Sequence, residues 1–296
     1  MTAPSVLVTG ASGQLGSALL RALDPSRHVI TTSRRGIAHR PSAWRHVVAD
    51  QSTEAWVGLL EAASADVETA VLLGSRITTS AELGEIAGQA RLEILQPLTL
   101  LERLPRLRHV VFASSYTVYG SSVIPVLETT APAPSSVYAC VKTSTEELLG
   151  LFARRYGREL TVLRIAQVFG PGSPAGEIIA RVSERARAGA PLEVSCGLEA
   201  FRDYVHEDDV AAAITAALQA GGSGVLNIGG GAPTKIAELT SRIARAHGRP
   251  PPIVTATSPT FSLALDISRA RVRLHWAPDR TIDQEIARRV GNGTVA

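Results

Sequence analysis

Apolar positions in this chain fall into short β-branched runs separated by stretches with helical spacing. Ser5-Val6-Leu7-Val8 reads as a buried strand. From Gln14 the period changes, and Leu15, Leu19, Ala22 and Leu23 share one helical stripe. The same alternation predicts strands near 5–9, 28–33, 45–50, 69–74, 109–115 and 159–168. Strands alternating with helices in this way predict an α/β fold, a doubly wound parallel sheet with a smaller C-terminal lobe. Pro97 interrupts the helical pattern Leu92–Leu104 and predicts a kink there. Gly170-Pro171-Gly172-Ser173-Pro174 marks a break. The sheet domain is therefore expected over 1–170, with 202–230 returning to it. A helix near 176–188 and the rest of 171–296 are expected to form mainly the smaller lobe. Gly291 to Ala296 read as a frayed tail.

The first strand runs straight into Thr9-Gly10-Ala11-Ser12-Gly13-Gln14-Leu15-Gly16. Glycines between a strand and a helix form the phosphate-cradling turn of a Rossmann sheet. Gly10 permits the tight turn, Gly13 lets backbone approach a pyrophosphate, and Gly16 lets the helix pack close to the strand. Exposed amides and the helix dipole then favour the anion. After the second strand an acidic residue would bind the ribose hydroxyls of NAD. The chain instead reads Ser33-Arg34-Arg35. Arginines would receive a 2′-phosphate that a carboxylate would repel, so NADP(H) is favoured and NAD(H) is the alternative. The competing reading of Arg34 and Arg35 is a pair of solvated loop charges.

His109-Val110-Val111-Phe112-Ala113-Ser114-Ser115 predicts another buried strand that ends in hydroxyls, where open α/β sheets place their sites. Ser135-Ser136 can cap a following helix with Val141, Leu148 and Phe152 on its apolar stripe. Tyr138 and Lys142 stand at i and i+4 and share a face of that helix. A neighbouring ammonium favours a phenolate, so Tyr138 is expected to exchange a proton near neutrality. Ser115 could hold the substrate oxygen in line, and Lys142 could also hold the nicotinamide ribose.

These motifs resemble the extended short-chain dehydrogenase/reductases, in particular their NAD-dependent epimerase/dehydratase group acting on nucleotide sugars. Thr9 to Gly16 match T-G-x-x-G-x-x-G, and Phe112 to Gly120 are similar to F-x-S-S-x-x-V-Y-G. Tyr138 to Lys142 match Y-x-x-x-K. Leu163 to Gly172 resemble L-R-x-x-N-V-Y-G-P-G, and Arg202 to Val210 resemble R-D-Y-V-H-V-x-D-V. Val225 to Gly229 and Leu265 to Ser268 resemble two later landmarks. The resemblance implies a catalytic set of Ser115, Tyr138 and Lys142. It also implies Gly10, Gly13 and Gly16 at the pyrophosphate, and cofactor contacts are expected in all from Gly10, Ser12, Gly13, Gln14, Leu15, Gly16, Ser33, Arg34, Arg35, Asp50, Gln51, Leu73, Gly74, Ser75, Ala113, Tyr138 and Lys142. Asp50 matches the position that usually meets the adenine. Substrate contacts are expected from Arg76, Ser115, Tyr116, Thr117, Gln167 and Arg202. Arg202 matches an arginine that reaches the substrate diphosphate, against the alternative of an ion pair with Asp203 or Asp208.

Several positions depart from the family pattern. Tyr116-Thr117 stand where sugar dehydratases carry an Asp-Glu pair, and neither can act as the carboxylate that water elimination needs. Gln167 replaces the usual asparagine. Glu93 stands near another position where the family often has asparagine, and Leu72-Leu73-Gly74-Ser75-Arg76 replaces the usual His-x-Ala-Ala segment. Ser262 stands where an arginine often precedes Leu-Asp-Ile-Ser. An epimerase keeps its NAD, whereas a net reductase consumes NADPH. Arg34 and Arg35 thus favour NADPH-dependent reduction of a keto group on a nucleotide-activated sugar. The family suggests a dTDP-4-keto-6-deoxyhexose. A nucleotide-sugar epimerase with tightly bound NAD is the alternative, and a non-catalytic cofactor-sensing protein is a third reading.

The whole chain narrows the partners. Its 296 residues carry a net charge of +3, with no basic block interleaved with aromatics, so no nucleic acid is expected. No apolar run reaches ~18 residues, so no membrane span is expected. The first strand is expected to begin by residue 5, so no signal peptide is expected. The two cysteines, Cys140 and Cys196, suit a reducing cytoplasm without a disulfide. No metal site is expected. A homodimer is expected from the resemblance, through two helices per subunit, with Leu98, Leu100, Leu101 and the helix at 137–152 as candidates.

Overall fold

The computed structural model describes residues 5–37, 40–77, 80–122, 125–194, 197, 199–250, 253–254 and 261–291. The chain opens with β1 (Val6–Thr9), α1 (Gln14–Ala22), β2 (Val29–Ser33), β3 (Trp44–Val48), α2 (Ala55–Ala63) and β4 (Thr69–Leu72). Then α3 (Leu83–Ala90) passes through a π-helical turn, Arg91–Leu95, into α4 (Gln96–Glu102). β5 (His109–Ser115) ends in a 3₁₀ turn, Tyr116–Tyr119, and α5 (Val137–Tyr156) leads to β6 (Glu159–Ile165). β7 (Gln167–Phe169), α6 (Ile178–Arg187), β8 (Glu193–Val194), β9 (Phe201–Arg202) and β10 (Tyr204–His206) precede α7 (Glu207–Ala220) and β11 (Gly224–Ile228). β12 (Thr234–Lys235), α8 (Ile236–Ala246), β13 (Ile253–Val254), α9 (Ser268–Leu274) and α10 (Ile282–Gly291) follow.

Seven strands form one sheet in the order β11-β6-β5-β4-β1-β2-β3, every neighbour parallel. This is the doubly wound α/β sheet that the strand–helix alternation predicts. Period-two alternation divides its residues between two cores. Val6, Val8, Val71, Val111, Leu163 and Ile228 pack on one face with α1, α7 and α9. Leu7, Ile30, Leu72, Val110, Phe112 and Val162 pack on the other with α2, α4 and α5. Phe169 and Tyr204 join apolar residues of α6, α8 and α10 in a third, smaller core. The strand order reverses between β1 and β4, which is where such sheets leave a crevice at their carboxyl ends.

Three details differ from the sequence expectations. The apolar run 159–168 is one stretch in sequence, but it leaves the sheet at Ala166, whose amide bonds Ile228, and β7 pairs with β10 instead. The expected break at Pro97 is a π turn just before it. Proline has no N–H, and its ring crowds the carbonyl of residue 93; a widened turn relieves both. Finally, Leu100 and Leu101 are core residues and Leu98 packs half-buried against the core, so they are not a free apolar face. Leu95, Leu148 and Leu151 are exposed leucines on that side, Leu95 and Leu151 at 56% each. Leu148 therefore stands outside the buried stripe of α5, unlike Val141 and Phe152.

Cys140 is exposed and free, and Cys196 lies outside the described residues, as does the tail beyond Gly291. Among the described residues no helix is long and apolar enough to cross a membrane.

Candidate active site

The glycine turn lies at the strand-order reversal. Gly10 has φ +66°, and a Cβ there would stand 2.8 Å from the Gly74 amide, so the turn and the end of β4 touch backbone to backbone. Thr9 Oγ1 ties the same two ends together by accepting from the amides of Leu73 and Gly74, both at 3.0 Å. At Gly16 a Cβ would meet the Gly10 carbonyl at 2.3 Å, so this glycine seats α1 on the turn and does not face the cleft. Gly13 is the N-cap of α1 and no side chain occupies the helix's free amides. An open cleft of about 360 Å³ begins here and is lined by Gly10, Ser12, Gly13, Ser33, Arg34, Arg35, Asp50, Gln51, Leu73, Gly74 and Ser75. Asp50 takes the amide and hydroxyl of Ser52, which hold its carboxyl below the usual range. Gln51 donates to the Leu92 carbonyl at 2.8 Å and so ties this wall to the π turn. A backbone-lined turn, free helix amides and a long polar cleft fit a dinucleotide.

A second cleft, of about 520 Å³, adjoins the first through Leu73 and Ser75. Gln14, Leu15, Ala113, Ser115, Tyr116, Thr117, Tyr138, Lys142 and Gln167 line it. β5 delivers Ser115 to its floor. Ser115 Oγ accepts from the Thr117 amide at 3.2 Å and the Thr117 hydroxyl at 2.9 Å, which leaves the Ser115 proton free for an oxygen in the cleft. Ser136 caps α5 by accepting from the Ala139 amide at 3.2 Å, and this fixes the first turn, where Tyr138 stands half-buried. Lys142 Nζ lies 5.6 Å from the Tyr138 ring centroid. Lys142 is buried, donates to the Ala113 carbonyl at 2.9 Å and pairs with Glu93 at 2.8 Å. Tyr116 is also buried, its ring edge-on to Phe261, and burial pushes its phenol up.

Two sequence candidates do not line the second cleft. Arg76 lines the dinucleotide cleft and pairs with Glu85 at 3.0 Å, an exposed ion pair that fits a surface role as well as a phosphate contact. The chain after β4 turns toward α3, where Glu85 lies. Arg202 lies on β9, outside the lining of both clefts, with its guanidinium over the Phe261 ring at 4.7 Å and bonded to the Phe201 carbonyl. Neither carboxylate weighed as its partner holds it. Asp208 bonds Arg21, and Asp203 accepts from the amides of Gly230 and Leu265. Burial lifts the Asp203 carboxyl to about 6.

Sequence reasoning missed the groups behind the cleft. Glu146 is one helical turn beyond Lys142 and makes a buried paired contact with Arg164, the arginine of Leu163-Arg164, while Ser114 donates to it. Glu207 takes Gln14 at 3.0 Å, the Gly172 amide at 2.8 Å and Arg21 at 2.9 Å, which clamps α1 to the loop after β7. An i+4 spacing from Lys142 was the available signal for Glu146. Glu207 offered no local signal.

The model of the NAD dependent epimerase/dehydratase family matches residues 6–229. A UDP-glucose 4-epimerase of Mycolicibacterium smegmatis is 31% identical over 307 residues, which cover 96% of each chain. A dTDP-4-dehydro-6-deoxyglucose reductase of Escherichia coli is 29% identical over 188 residues, 60% of this chain and 58% of that one. Among solved structures, MoeE5 bound to UDP-glucuronic acid and NAD superimposes with a TM-score of 0.86 at 28% identity, over 97% of this chain and 98% of that one. A match across both strand-end clefts, from the first strand to the glycines after β11, settles the assignment: the chain belongs to the NAD dependent epimerase/dehydratase family, within the extended short-chain dehydrogenase/reductases.

Proposed function

We propose that the protein is an NADPH-dependent reductase of a keto group on a nucleotide-activated sugar, a dTDP-4-keto-6-deoxyhexose being the first substrate to try. The observation that carries the reading is the wall of the dinucleotide cleft after β2. Arg34 and Arg35 line it where a carboxylate would select NAD, and Ser33 Oγ donates to the Arg35 carbonyl at 2.7 Å to shape that turn. When bound, a reduced nicotinamide supplies the hydride that goes to the carbonyl carbon. Tyr138 gives its phenol proton to the alkoxide oxygen that forms, which completes the alcohol and leaves a phenolate. Ser115, its lone pairs occupied by Thr117, donates a hydrogen bond to that oxygen as negative charge develops. Lys142 steadies the ribose and lends positive charge to the proton transfer. Tyr116 fills the space where elimination chemistry would need a carboxylate.

The test is oxidation of NADPH against NADH, followed at the nicotinamide absorbance with dTDP-4-keto-6-deoxyglucose. Faster oxidation of NADPH is expected. Arg34→Asp is expected to move the preference toward NADH by about tenfold or more, since it replaces one charge-assisted contact with a repulsion. No net oxidation, with NAD co-purifying, would favour the second reading, a nucleotide-sugar epimerase. The similarity to the M. smegmatis UDP-glucose 4-epimerase supports that alternative.

The same reading includes a homodimer through the side carrying Leu95, Leu148 and Leu151. Leu95 lies on the π turn, which packs against α5. Leu95→Glu combined with Leu151→Glu is expected to halve the mass measured by sedimentation, with the fold retained by circular dichroism. An unchanged mass would remove this face from the interface.

A further inference from the structure

The reaction as described uses the charge of Lys142 and gives no role to Glu93, its buried partner. Glu93 is 2% exposed and stands on the π turn. One carboxylate oxygen meets Lys142 Nζ at 2.8 Å. The other accepts from Ser75 Oγ at 2.7 Å and Gln89 Nε2 at 2.9 Å. Gln89, fully buried, also donates to the Arg76 carbonyl at 2.8 Å. The carboxylate is thus fixed from α5, from α3 and from the segment after β4. Ser75 in that segment lines both clefts. Lys142 donates to the Ala113 carbonyl, is ion-paired with Glu93 and lines the second cleft.

We propose that Glu93 is a positioning residue that sets the charge beside the nicotinamide: it pins Lys142 and offsets its ammonium, so that the cleft favours the oxidised, cationic ring over the reduced, neutral one. The proposal rests on the reading of Lys142 as the residue at the nicotinamide ribose. Its consequence for the reaction is direct. A site that holds the oxidised ring better promotes departure of the hydride toward the ketone. Of the other charged or titratable groups, Tyr138 and Glu146 on α5 act on Lys142, Glu146 being itself paired with Arg164, while Tyr116 on the 3₁₀ turn and Glu177 line the same cleft. Burial presses the Lys142 ammonium down, but Glu93, then Tyr138, overcome this and hold it above its usual range. Lys142 is therefore a cation at neutral pH.

The experiment needs no sugar substrate. The dissociation constants of NADP⁺ and NADPH are measured by titration calorimetry on the protein, on Glu93→Gln and on Glu93→Asp; the NAD⁺/NADH pair serves equally. Glu93→Gln leaves a net positive charge and is expected to lower the oxidised-to-reduced affinity ratio by about tenfold, the size of one uncompensated charge at nicotinamide distance. Glu93→Asp keeps the charge and is expected to preserve the ratio even where both affinities fall. If Glu93→Gln does not fold, Lys142→Gln at alkaline pH supplies the opposite sign, a raised ratio. A ratio that stays constant while both affinities change together would reduce Glu93 to a structural counter-ion and overturn the proposal. A shifted ratio in a protein that reduces no keto sugar would leave the proposal standing and remove only the substrate reading.

Discussion

Tyr138→Phe is expected to keep cofactor affinity and to lose about 100- to 10,000-fold in turnover, the usual contribution of a positioned proton donor. The change removes one hydroxyl from a ring that stands half-buried at the first turn of α5, so the packing of the helix is untouched. Ser115 still donates to the substrate oxygen, and Lys142 stays on Ala113 and Glu93. What disappears is the proton for the nascent alcohol. The cleft contains a second phenol, Tyr116, but it is buried against Phe261 and burial holds its proton tightly. A Tyr138→Phe/Tyr116→Phe variant should therefore fall little further than the single variant. Turnover that survives Tyr138→Phe would mean that another group delivers the proton. Cofactor titration of the same variant separates lost chemistry from lost binding.

Arg164→Leu is expected to destabilise the fold by about 3–5 kcal/mol, because it strands a buried carboxylate. Arg164 and Glu146 are 6% and 8% exposed and meet at 2.6 Å, with Nε of Arg164 reaching both carboxylate oxygens at 3.1 Å. The guanidinium also lies 4.6 Å over the Tyr119 ring. Burying two charges has a desolvation penalty of its own, so the pair adds little net stability over apolar residues of similar size. The double change Arg164→Leu/Glu146→Leu should accordingly recover most of the loss, and urea unfolding of the three variants measures it. A double variant as unstable as the single one would place the cost in packing around β6 and not in the stranded charge.

Local patterns were readable because their meaning is local. The run Val6-Leu7-Val8 is a strand because alternate side chains meet two cores, and Gly10 is a glycine because backbone approaches it. Tyr138 and Lys142 fell together through helical spacing alone. The partner of Lys142 was not readable, since Glu93 reaches it only after α3 unwinds into a π turn that shifts register. The side-chain contacts of Arg76 and Arg202 were unreadable for a related reason. An arginine's position in sequence gives its anchor, while Glu85 and Phe261 decide where the long side chain goes. Leu100 and Leu98 look alike in a helical pattern, and only the neighbouring sheet decides which is core. The leucines left outside, such as Leu95, emerge from that packing.

The place of β11 has a consequence for the order of synthesis. This strand closes the sheet beside β6, yet it leaves the ribosome only after α6 and α7 have been made. Until Ile228 emerges, the nascent chain holds β6 as an open edge, with Thr161 to Ile165 unpaired along one side. Open apolar edges recruit other strands. The growing polypeptide is thus most in need of a chaperone across the interval between Ile165 and Ile228, and a fragment ending near residue 170 would carry that exposed edge permanently.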